Sequence, residues 1–407
     1  MTTARFLQIH TLHSYSAALL NRDDSGLAKR IKYGGAIRTR VSSQCLKRHW
    51  RLAEDPHALL NIAGAEDAFR SRELVTLKVI DPIKKSGRFS PATTAVINDV
   101  FQKYVYGDKG TEKKSRQTLL LGAPELNWLA TEADKLAEQV EPVLAGGVYD
   151  LNDKKGIAQA LKHAEEVTKP WATDNKSNLS ALREQTALNA GLPAALFGRM
   201  VTSDPAANID APIHVAHAFT VHEEETESDY FTAVDDLKRD EDDSGADTIQ
   251  ETELTSGLFY GYVVVDVPGL VSNLTGCKRH EWTTPDRTMA AEVVHNLIYL
   301  IAEVSPGAKL GSTAPYGRAD MVLVEVGDRQ PRSLSAAFRE PSQPNLHSAL
   351  TASAAHLTMM DEHYETGEAR RSLHSMNQDV FPTAPRGSLR EIAEWAKAAI
   401  RNGEASR

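Results

Sequence analysis

The sequence predicts an α+β fold built around one sheet, with two long insertions. Segments of β-favouring residues and amphipathic helical segments follow each other in the order strand, helix, strand, strand, helix, strand. A long and mostly helical stretch interrupts this order after the first helix, and an acidic stretch interrupts it between the two middle strands. The order is that of ferredoxin-like folds, which RNA-recognition domains also have.

The first strand and the first helix lie close together near the N-terminus. The segment "RFLQIHTL" (5–12) is dominated by apolar and β-favouring residues and predicts a strand. A helix is predicted to begin near Gln44, because the side-chain oxygen of Ser42 or Ser43 can cap it. One side of this helix is polar and mainly basic: Gln44, Lys47, Arg48 and Arg51. The other side is apolar: Leu46, Trp50 and Ala53.

The remaining elements lie in the second half of the chain. A strand is predicted over 211–222, with alternate residues from Ile213 to Val221 on one face, and another over 257–267. A helix follows with Thr284 as its cap and Pro285 in its first position. The last strand is predicted at 319–326 and a terminal helix in "GSLREIAEWAKAAIRN". No element is predicted for 327–386.

These elements predict two domains. The sheet domain is discontinuous and consists of 1–54 and 206–407, whereas 55–205 form the helical insertion. The second insertion, at about 223–256, is expected to project from the sheet as a hairpin or extended loop, since a structureless loop of this length is unusual unless it is functional.

Composition is that of an ordinary globular protein. The chain has 407 residues, of which 41% are hydrophobic and 25% charged. We find neither a secretory leader nor a run of eighteen apolar residues, and the two cysteines do not form a CxxC pair. We therefore expect a cytoplasmic protein that does not contact a membrane.

Charge is strongly segregated along a chain whose net charge is −9. Residues 22–51 carry nine Lys or Arg against two Asp, whereas 222–256 carry fourteen Asp or Glu against two Lys or Arg. The basic region offers what recognition of an RNA or DNA backbone requires, namely cations, hydroxyl groups and a helix N-terminus. The alternative is that both regions are solvated surfaces without a common function.

Signatures of catalysis and of bound cofactors are missing from the sequence. It has no Walker loop, no GxSxG motif and no zinc-deaminase signature, and His214 and His217 fall on opposite faces of a strand. The acidic stretch 223–243 is read as a solvated loop rather than a Mg²⁺ site. Tyr260 and Tyr262 are expected to pack within the sheet rather than to stack on bases. We predict no catalytic residue, no metal and no cofactor.

Several blocks of the sequence, in the same order, resemble one protein family. They are "LNRDD" (20–24), "GG" with "R.RVSSQ.LKR" (34–48), "ALFGRM" (195–200), "VAHAFTVH" (215–222), "DYFTAVDDL" (229–237) and "PGAK" (306–309). Together they resemble the CRISPR-associated Cascade backbone subunit of type I-E systems, the CasC family. The resemblance extends from residue 1 to about residue 325.

The resemblance implies a fold, a function and partners. It implies a ferredoxin-like palm, helical fingers formed by the first insertion, and a thumb hairpin formed by the second. It implies a non-enzymatic subunit that polymerises along a CRISPR guide RNA, with further copies of itself and other Cascade subunits as partners. Target DNA is then bound through base pairing with the guide.

The resemblance also implies site residues. Contacts to the phosphates and riboses of the guide are expected from Arg22, Lys29, Ser42, Gln44, Lys47, Arg48 and Arg51. Residues expected to wedge against bases where the RNA is kinked are Met200, Phe231, Thr232 and Ile249. Residues expected to guide target DNA along the fingers are Lys154, Lys155 and Lys162.

Two other functions remain open at this stage. Related backbone subunits cleave RNA with a thumb-loop aspartate, so a metal-dependent RNA endonuclease using Asp235, Asp236 or the carboxylates of 240–243 is an alternative. A free-standing single-strand binder that coats any RNA without assembling is the other.

Overall fold

The computed structural model describes residues 1–175, 187–201, 207–233, 248–376 and 379–406. Its strands, in chain order, are β1 (Thr2–Thr3), β2 (Phe6–Ala18), β3 (Arg30–Tyr33), β4 (Ala36–Val41), β5 (Ala68–Ser71), β6 (Leu119–Gly122), β7 (Ile213–Val215), β8 (Ala218–Thr220), β9 (Glu225–Ala233), β10 (Thr248–Asp266), β11 (Ala319–Gly327), β12 (Ala369–His374) and β13 (Glu404–Ala405).

The α-helices lie between groups of these strands. In chain order they are α1 (Ser43–Arg51), α2 (Asp81–Ser86), α3 (Pro91–Tyr106), α4 (Ala123–Leu144), α5 (Lys154–His163), α6 (Glu165–Asp174), α7 (Leu192–Phe197), α8 (Val267–Thr275), α9 (Thr288–Glu303), α10 (Leu310–Thr313), α11 (Leu346–Tyr364) and α12 (Leu389–Asn402). Within the described part of the chain, none of the helices has the length and apolar character needed to cross a membrane.

The chain divides into two units. Unit 1 comprises residues 1–62, 213–267 and 286–407, and unit 2 comprises residues 63–212 and 268–285. Unit 2 is mainly helical, and α3 and α4 bury apolar residues such as Phe101, Leu129 and Leu136 in its core. A short antiparallel pair of strands, β5 and β6, completes it.

Unit 1 is built on one antiparallel sheet with the strand order β12-β11-β2-β10-β8-β4-β3. Strands β7 and β9 also pair with β10, which is nineteen residues long. The expectation of an α+β fold is thereby confirmed. Strands β9 and β10 continue beyond the sheet as a two-stranded ribbon, which runs from the pair Glu225 and Ser256 to the pair Ala233 and Thr248.

The two faces of this sheet are covered by different helices. On one face, Val41, Ala218 and Phe259 pack against Cys45 and Leu46 of α1, and α9 packs against α1 and α12. On the other face, Leu12, Tyr260 and Leu323 pack against α11 and the segment that precedes it. The segment 327–386, for which the sequence predicts no element, thus supplies both a covering helix and the edge strand β12.

A cluster of buried charges lies on the α11 side of the sheet. Glu325 accepts hydrogen bonds from His10 Nε2 at 3.0 Å, from Arg332 at 2.8 and 2.9 Å, and from Arg370 Nε at 2.6 Å. Arg370 also donates to both carboxylate oxygens of Asp361. Burial would raise the Glu325 pKa, but hydrogen bonds from His10 and Arg332 hold it well below its ordinary value. We call these five residues the Glu325 cluster.

The predicted strand over 211–222 is wrong in one respect, because it is broken into β7 and β8. Val215 pairs with Val263, and Phe219 pairs with Tyr260. The chain therefore advances four positions from β7 to β8 while β10 advances three. The extra residue shifts the alternation, as in a β-bulge. Val215 and Phe219 therefore lie on opposite faces of the sheet and not, as predicted, on the same face.

The predicted start of the helix near residue 284 is also wrong. Thr284 does not cap it, because Thr284 N donates to the carbonyl oxygen of Glu281 in a preceding turn. The helix α9 begins at Thr288, where Asp286 Oδ1 accepts hydrogen bonds from the Thr288 amide and hydroxyl groups. The predicted terminal helix is present as α12, and Ser388 caps it together with Glu391.

Candidate nucleic-acid interface

The N-terminus of α1 is fixed by two side chains. Ser42 is the N-cap, and its hydroxyl oxygen accepts from Cys45 N at 3.3 Å. The Ser42 amide in turn donates to Asn21 Oδ1 at 2.9 Å. The predicted cap and the predicted start of the helix are confirmed, and the cap is itself held in place by the loop that precedes β3.

The two sides of α1 differ as the sequence predicts. Trp50 is 3% exposed and belongs to the core of unit 1. Gln44 and Arg48 are exposed, and Lys47 and Arg51 are partly exposed. Because the apolar side anchors the helix, the basic side is presented to solvent as a row of side chains three and four residues apart.

The charges of Lys47 and Arg48 are not neutralised within the described part of the chain. No carboxylate there forms an ion pair with either of them. Partial burial lowers the pKa of Lys47. Exposed cations without internal partners are available to phosphate groups, and each phosphate contact releases a counterion from the nucleic acid.

The loop 21–29 places two further cations beside the start of α1. Lys29 N donates to the Asn21 carbonyl oxygen at 2.9 Å, and Arg22 forms an antiparallel bridge with Ala28. Asp23 Oδ1 closes the loop by accepting from the amides of Ser25 and Leu27. Asn21 therefore joins this loop to α1.

Sequence reasoning missed Asn21. Its carbonyl and side-chain oxygens bring together the backbones of Arg22, Lys29 and Ser42, three of the predicted contact residues. A signal was present, because Asn is a residue type that bonds nearby backbone amides in turns. Its partner Ser42, however, is twenty-one residues away.

Other basic side chains of residues 22–51 have structural roles. Arg38 is fully buried and donates to the carbonyl oxygens of Thr220 and Phe338, each at 3.0 Å. Arg40 donates to the Arg30 carbonyl oxygen and to His217 Nδ1. Two of the nine Lys and Arg residues of this region thus bond to other groups of unit 1.

Arg30 shows that the basic and acidic regions of the sequence are not separate surfaces. Its guanidinium group donates to Glu224 at 2.7 Å and to Glu253 at 2.5 Å, at the base of the ribbon. Glu253 also accepts from the Ala28 amide. Acidic side chains at the base of the ribbon therefore bond to the loop 21–29 and to the start of β3.

The glycine pair between β3 and β4 serves packing within the chain. Gly34 has a φ of +62°, and a Cβ placed on it would lie 1.4 Å from the carbonyl oxygen of Arg339. Only glycine fits there, because the close approach is to the protein's own backbone. Gly35 has a φ of +85° and completes the turn.

Met200 lies in unit 2 and is 72% exposed. Its neighbour Arg199 is buried, with Nη1 donating to both oxygens of Glu125 at 2.9 and 2.8 Å. Arg199 also pairs with Ile209 through backbone hydrogen bonds. The buried ion pair holds this loop so that an apolar side chain remains in solvent.

The predicted thumb residues lie on the ribbon. Thr232 and Ile249 are opposite one another in the strand pairing, and Phe231 is opposite Gln250. Successive positions of a strand belong to opposite faces, so Phe231 and Thr232 are not positions of the same face. The aspartates of the alternative nuclease function, Asp235, Asp236 and those of 240–243, lie outside the described residues.

The three predicted DNA-contacting lysines are on α5 in unit 2, and all are exposed. Lys155 and Lys162 are seven residues apart and share a helix face, whereas Lys154 is displaced from it. Lysines in the first turn of a helix do not stabilise the helix dipole. Among the residues that the structure describes, no group of three His, Cys, Asp or Glu side chains is placed to bind a metal ion.

Comparison with known proteins adds a family and a shared fold. No curated protein matches the chain significantly. One similar solved chain, from a structure described as "CRISPR RNA-guided surveillance complex, pre-nicking", is 24% identical, with a TM-score of 0.74 over 97% of this chain and 100% of that chain.

A second solved chain, from a "CRISPR RNA-guided surveillance complex", is 21% identical, with a TM-score of 0.62 over 97% of this chain and 99% of that one. Both likenesses show a common fold. The model of the CT1975-like protein family matches residues 7–398. The chain therefore belongs to the CT1975-like protein family of CRISPR-associated (Cas) proteins.

Proposed function

We propose that the protein is the backbone subunit of a type I-E Cascade surveillance complex, as the resemblance to the CasC family implies. In this function it polymerises along a CRISPR guide RNA and displays the guide for base pairing with target DNA, without catalysing a reaction. Family membership supports the proposal, and so does the fold shared with two chains of CRISPR RNA-guided surveillance complexes.

The basic side of α1 carries the proposal. Lys47 and Arg48 are adjacent residues of α1 and are accessible to solvent. Neither has a carboxylate counterion among the described residues. The loop cations Arg22 and Lys29 are tied to the same helix start through Asn21. Such an arrangement binds a sugar-phosphate backbone without reading its sequence, which a guide-binding subunit requires.

The strand order supports the palm, thumb and fingers of this proposal. The strands β11, β2, β10 and β8 lie side by side in the order expected when the strand, helix, strand, strand, helix, strand pattern folds as a ferredoxin-like sheet. The ribbon of β9 and β10 corresponds to the thumb at about 223–256. The helical region 55–205 is assigned to the fingers, with 1–54 and 206–407 as the palm.

Head-to-tail contacts between copies would form the filament. A heterologous contact of this kind generates an open helical assembly, whose length the bound RNA then determines. Met200 and the ribbon residues Phe231, Thr232 and Ile249 are proposed to contact bases where neighbouring copies meet the guide.

The direct test is to purify the chain after co-expression with its neighbouring operon proteins and a repeat-spacer transcript. The wild type is expected to carry one discrete guide RNA in a large particle. Lys47→Glu/Arg48→Glu should lose that RNA, because two attractive phosphate contacts become repulsive. The matched control Lys84→Glu/Lys85→Glu makes the same charge change on two exposed lysines of α2 and should retain it.

Heterogeneous RNA in the wild-type particle would favour a free-standing single-strand binder and contradict the proposal. Metal-dependent cleavage of complementary RNA that Asp235→Ala abolishes would favour the nuclease.

The lysines of α5 are proposed to contact target DNA. Lys155→Ala/Lys162→Ala should weaken binding of the assembled particle to its DNA target about tenfold, through two lost phosphate contacts. The RNA content of the particle should stay the same. Unchanged DNA affinity at low salt would contradict this assignment.

A further inference from the structure

Unit 1 contains a pocket of about 310 Å³ on the α11 side of its sheet, next to the edge strands β4 and β3. Four aromatic rings form much of its wall: Tyr33, Phe219, Tyr260 and Tyr262. Ile31, which is 42% exposed, and the exposed His217 lie at its opening. Elsewhere this face of the sheet is covered by α11 and the segment that precedes it.

The rings are held in place by hydrogen bonds of their phenol groups, some of them to Ser333 and Ser335, which also line the pocket. Tyr260 accepts from the Leu334 amide at 2.9 Å, and Tyr262 donates to Gln8 at 2.7 Å. Tyr33 donates to the Ser335 carbonyl oxygen at 3.2 Å. Phe219 lies edge-on to Tyr33 and to Tyr260, with centroids 5.3 and 6.0 Å apart. The phenol groups are therefore satisfied, and the pocket wall that remains is aromatic and preorganised.

The bulge between β7 and β8 creates this geometry. Without the extra residue, Phe219 would share the face of Val215, which is the α1 side of the sheet. The bulge instead turns Phe219 toward Tyr260.

The opening of the pocket is cationic. Arg40 Nη1 lies 2.9 Å from His217 Nδ1, and because a guanidinium group can only donate, the His217 ring carries its proton on Nε2. Burial lowers the His217 pKa, and the charges of Arg40 and Lys29 lower it further. Both cations thus lie within electrostatic reach of the rim. Lys29 is also one of the expected guide contacts, next to the start of α1.

An aromatic wall beside cations matches the chemistry of a nucleotide. Single-stranded nucleic acids are bound by stacking bases on aromatic side chains while positive groups hold the backbone. An aliphatic side chain would suit the wall equally well, but it would leave the cationic rim and the His217 Nε2–H donor unused. The charge of the rim therefore favours a nucleotide.

We propose that this pocket receives one unstacked base of bound single-stranded RNA, whose phosphate lies beside Lys29 and Arg40. The inference rests on the proposed function, since it assumes that RNA bound to the basic side of α1 continues past Lys29 to the α11 side of the sheet. It adds a base-stacking site to a surface otherwise expected to contact only the backbone.

The test uses RNA that carries 5-iodouridine at one position at a time. The guide-loaded particle would be irradiated and the crosslinked peptides identified by mass spectrometry. We expect crosslinks to Tyr33, Phe219 or Tyr262 at particular positions of the RNA. Tyr33→Leu removes a stacking ring and should lower crosslinking and RNA affinity about tenfold. Tyr33→Phe keeps the ring and should stay within about twofold of the wild type.

Each other outcome separates the inference from the proposed function. Crosslinks confined to residues 21–29 and α1 would show that no base binds in the pocket, and would leave the proposed guide-binding function intact. Failure of the wild type to retain RNA would overturn both. Equal losses in Tyr33→Phe and Tyr33→Leu would show that the hydroxyl bond to Ser335 matters rather than the ring. Self-association that only Tyr33→Leu abolishes, with crosslinking unchanged, would assign the pocket to a second copy of the chain.

Discussion

The basic side of α1 and the Glu325 cluster use the same kinds of side chain in opposite ways. In the cluster, Arg332 and Arg370 converge on the buried carboxylate of Glu325, and each of these three charges has a partner within 3 Å. On α1, Lys47 and Arg48 face solvent and have no internal carboxylate among the described residues. The first arrangement stabilises the sheet and the segment covering it. The second contributes little to stability and is free to bind.

The difference shows that partners and burial, rather than residue type, separate structural from binding charges. Arg38 and Arg48 show this difference within one stretch of sequence. They are only ten residues apart, yet Arg38 is entirely buried and Arg48 is exposed. A basic region read from sequence alone overstates the surface available to a polyanion. Four predictions test this distinction, and the largest effect is expected in the Glu325 cluster.

Glu325→Gln should destabilise the protein by about 3–5 kcal/mol, because it leaves Arg332 and Arg370 buried without their shared counterion. Chemical unfolding of the purified chain measures this change. Glu362→Gln is the matched control on exposed α11 surface and should change stability by less than about 0.5 kcal/mol. Equal stability of the two variants would mean that the cluster is not stabilising.

The contribution of Glu325 should also depend on pH in a defined direction. Its pKa in the folded protein lies well below the ordinary value of 4.5, so in acid the unfolded chain takes up the proton first. The stabilisation is complete above about pH 4.5 and is lost as the pH falls toward the folded pKa. The difference in stability between wild type and Glu325→Gln should therefore shrink between pH 7 and pH 3.5. A constant difference would assign the effect to packing.

Arg38→Gln and Arg48→Gln should give opposite results. The first removes a donor from the Thr220 or Phe338 carbonyl oxygen and should cost about 1–3 kcal/mol of stability. The second should cost less than about 0.5 kcal/mol and weaken RNA binding instead. Thermal unfolding and a filter-binding assay on both variants measure the two effects. Loss of stability in Arg48→Gln would place it among the structural arginines.

The smallest effect is expected in the salt dependence of RNA binding. Each phosphate contact contributes roughly 0.7 to the slope of log affinity against log salt concentration for single strands. Lys47→Ala/Arg48→Ala should therefore reduce that slope by about 1.4, whereas Lys84→Ala/Lys85→Ala should leave it unchanged. Titrations at four salt concentrations suffice to measure it. An unchanged slope in the α1 variant would mean that neither side chain contacts phosphate.

The parts of the fold that could be predicted from the sequence are those that depend on local sequence patterns. The cap at Ser42, the apolar side of α1 with Trp50 and the terminal helix depend on residues within one or two turns of each other. Such signals are complete within a short window of sequence. The proposed contacts of α1 follow from the same local pattern, and they stay predictions.

Long-range packing determined what could not be predicted. The extra residue between β7 and β8 leaves the apolar alternation of 211–222 apparently intact, so only the pairing with β10 reveals it. The burial of Arg38 depends on Phe338, three hundred residues away. Glu325 lies on the predicted last strand, but its partner Arg370 is forty-five residues away, in the segment 327–386 for which the sequence predicts no element.

The length of β10 has a mechanical consequence. Its nineteen residues span roughly 60 Å at about 3.3 Å per residue. One half is a central strand of the sheet and the other half is a strand of the ribbon, with no loop between them. The ribbon is therefore joined to the middle of the sheet by one continuous strand, whose pairing with β2 shifts register between Thr255 and Gly257. A displacement of the ribbon near Ile249 reaches Tyr260 along a single backbone that passes through this irregularity.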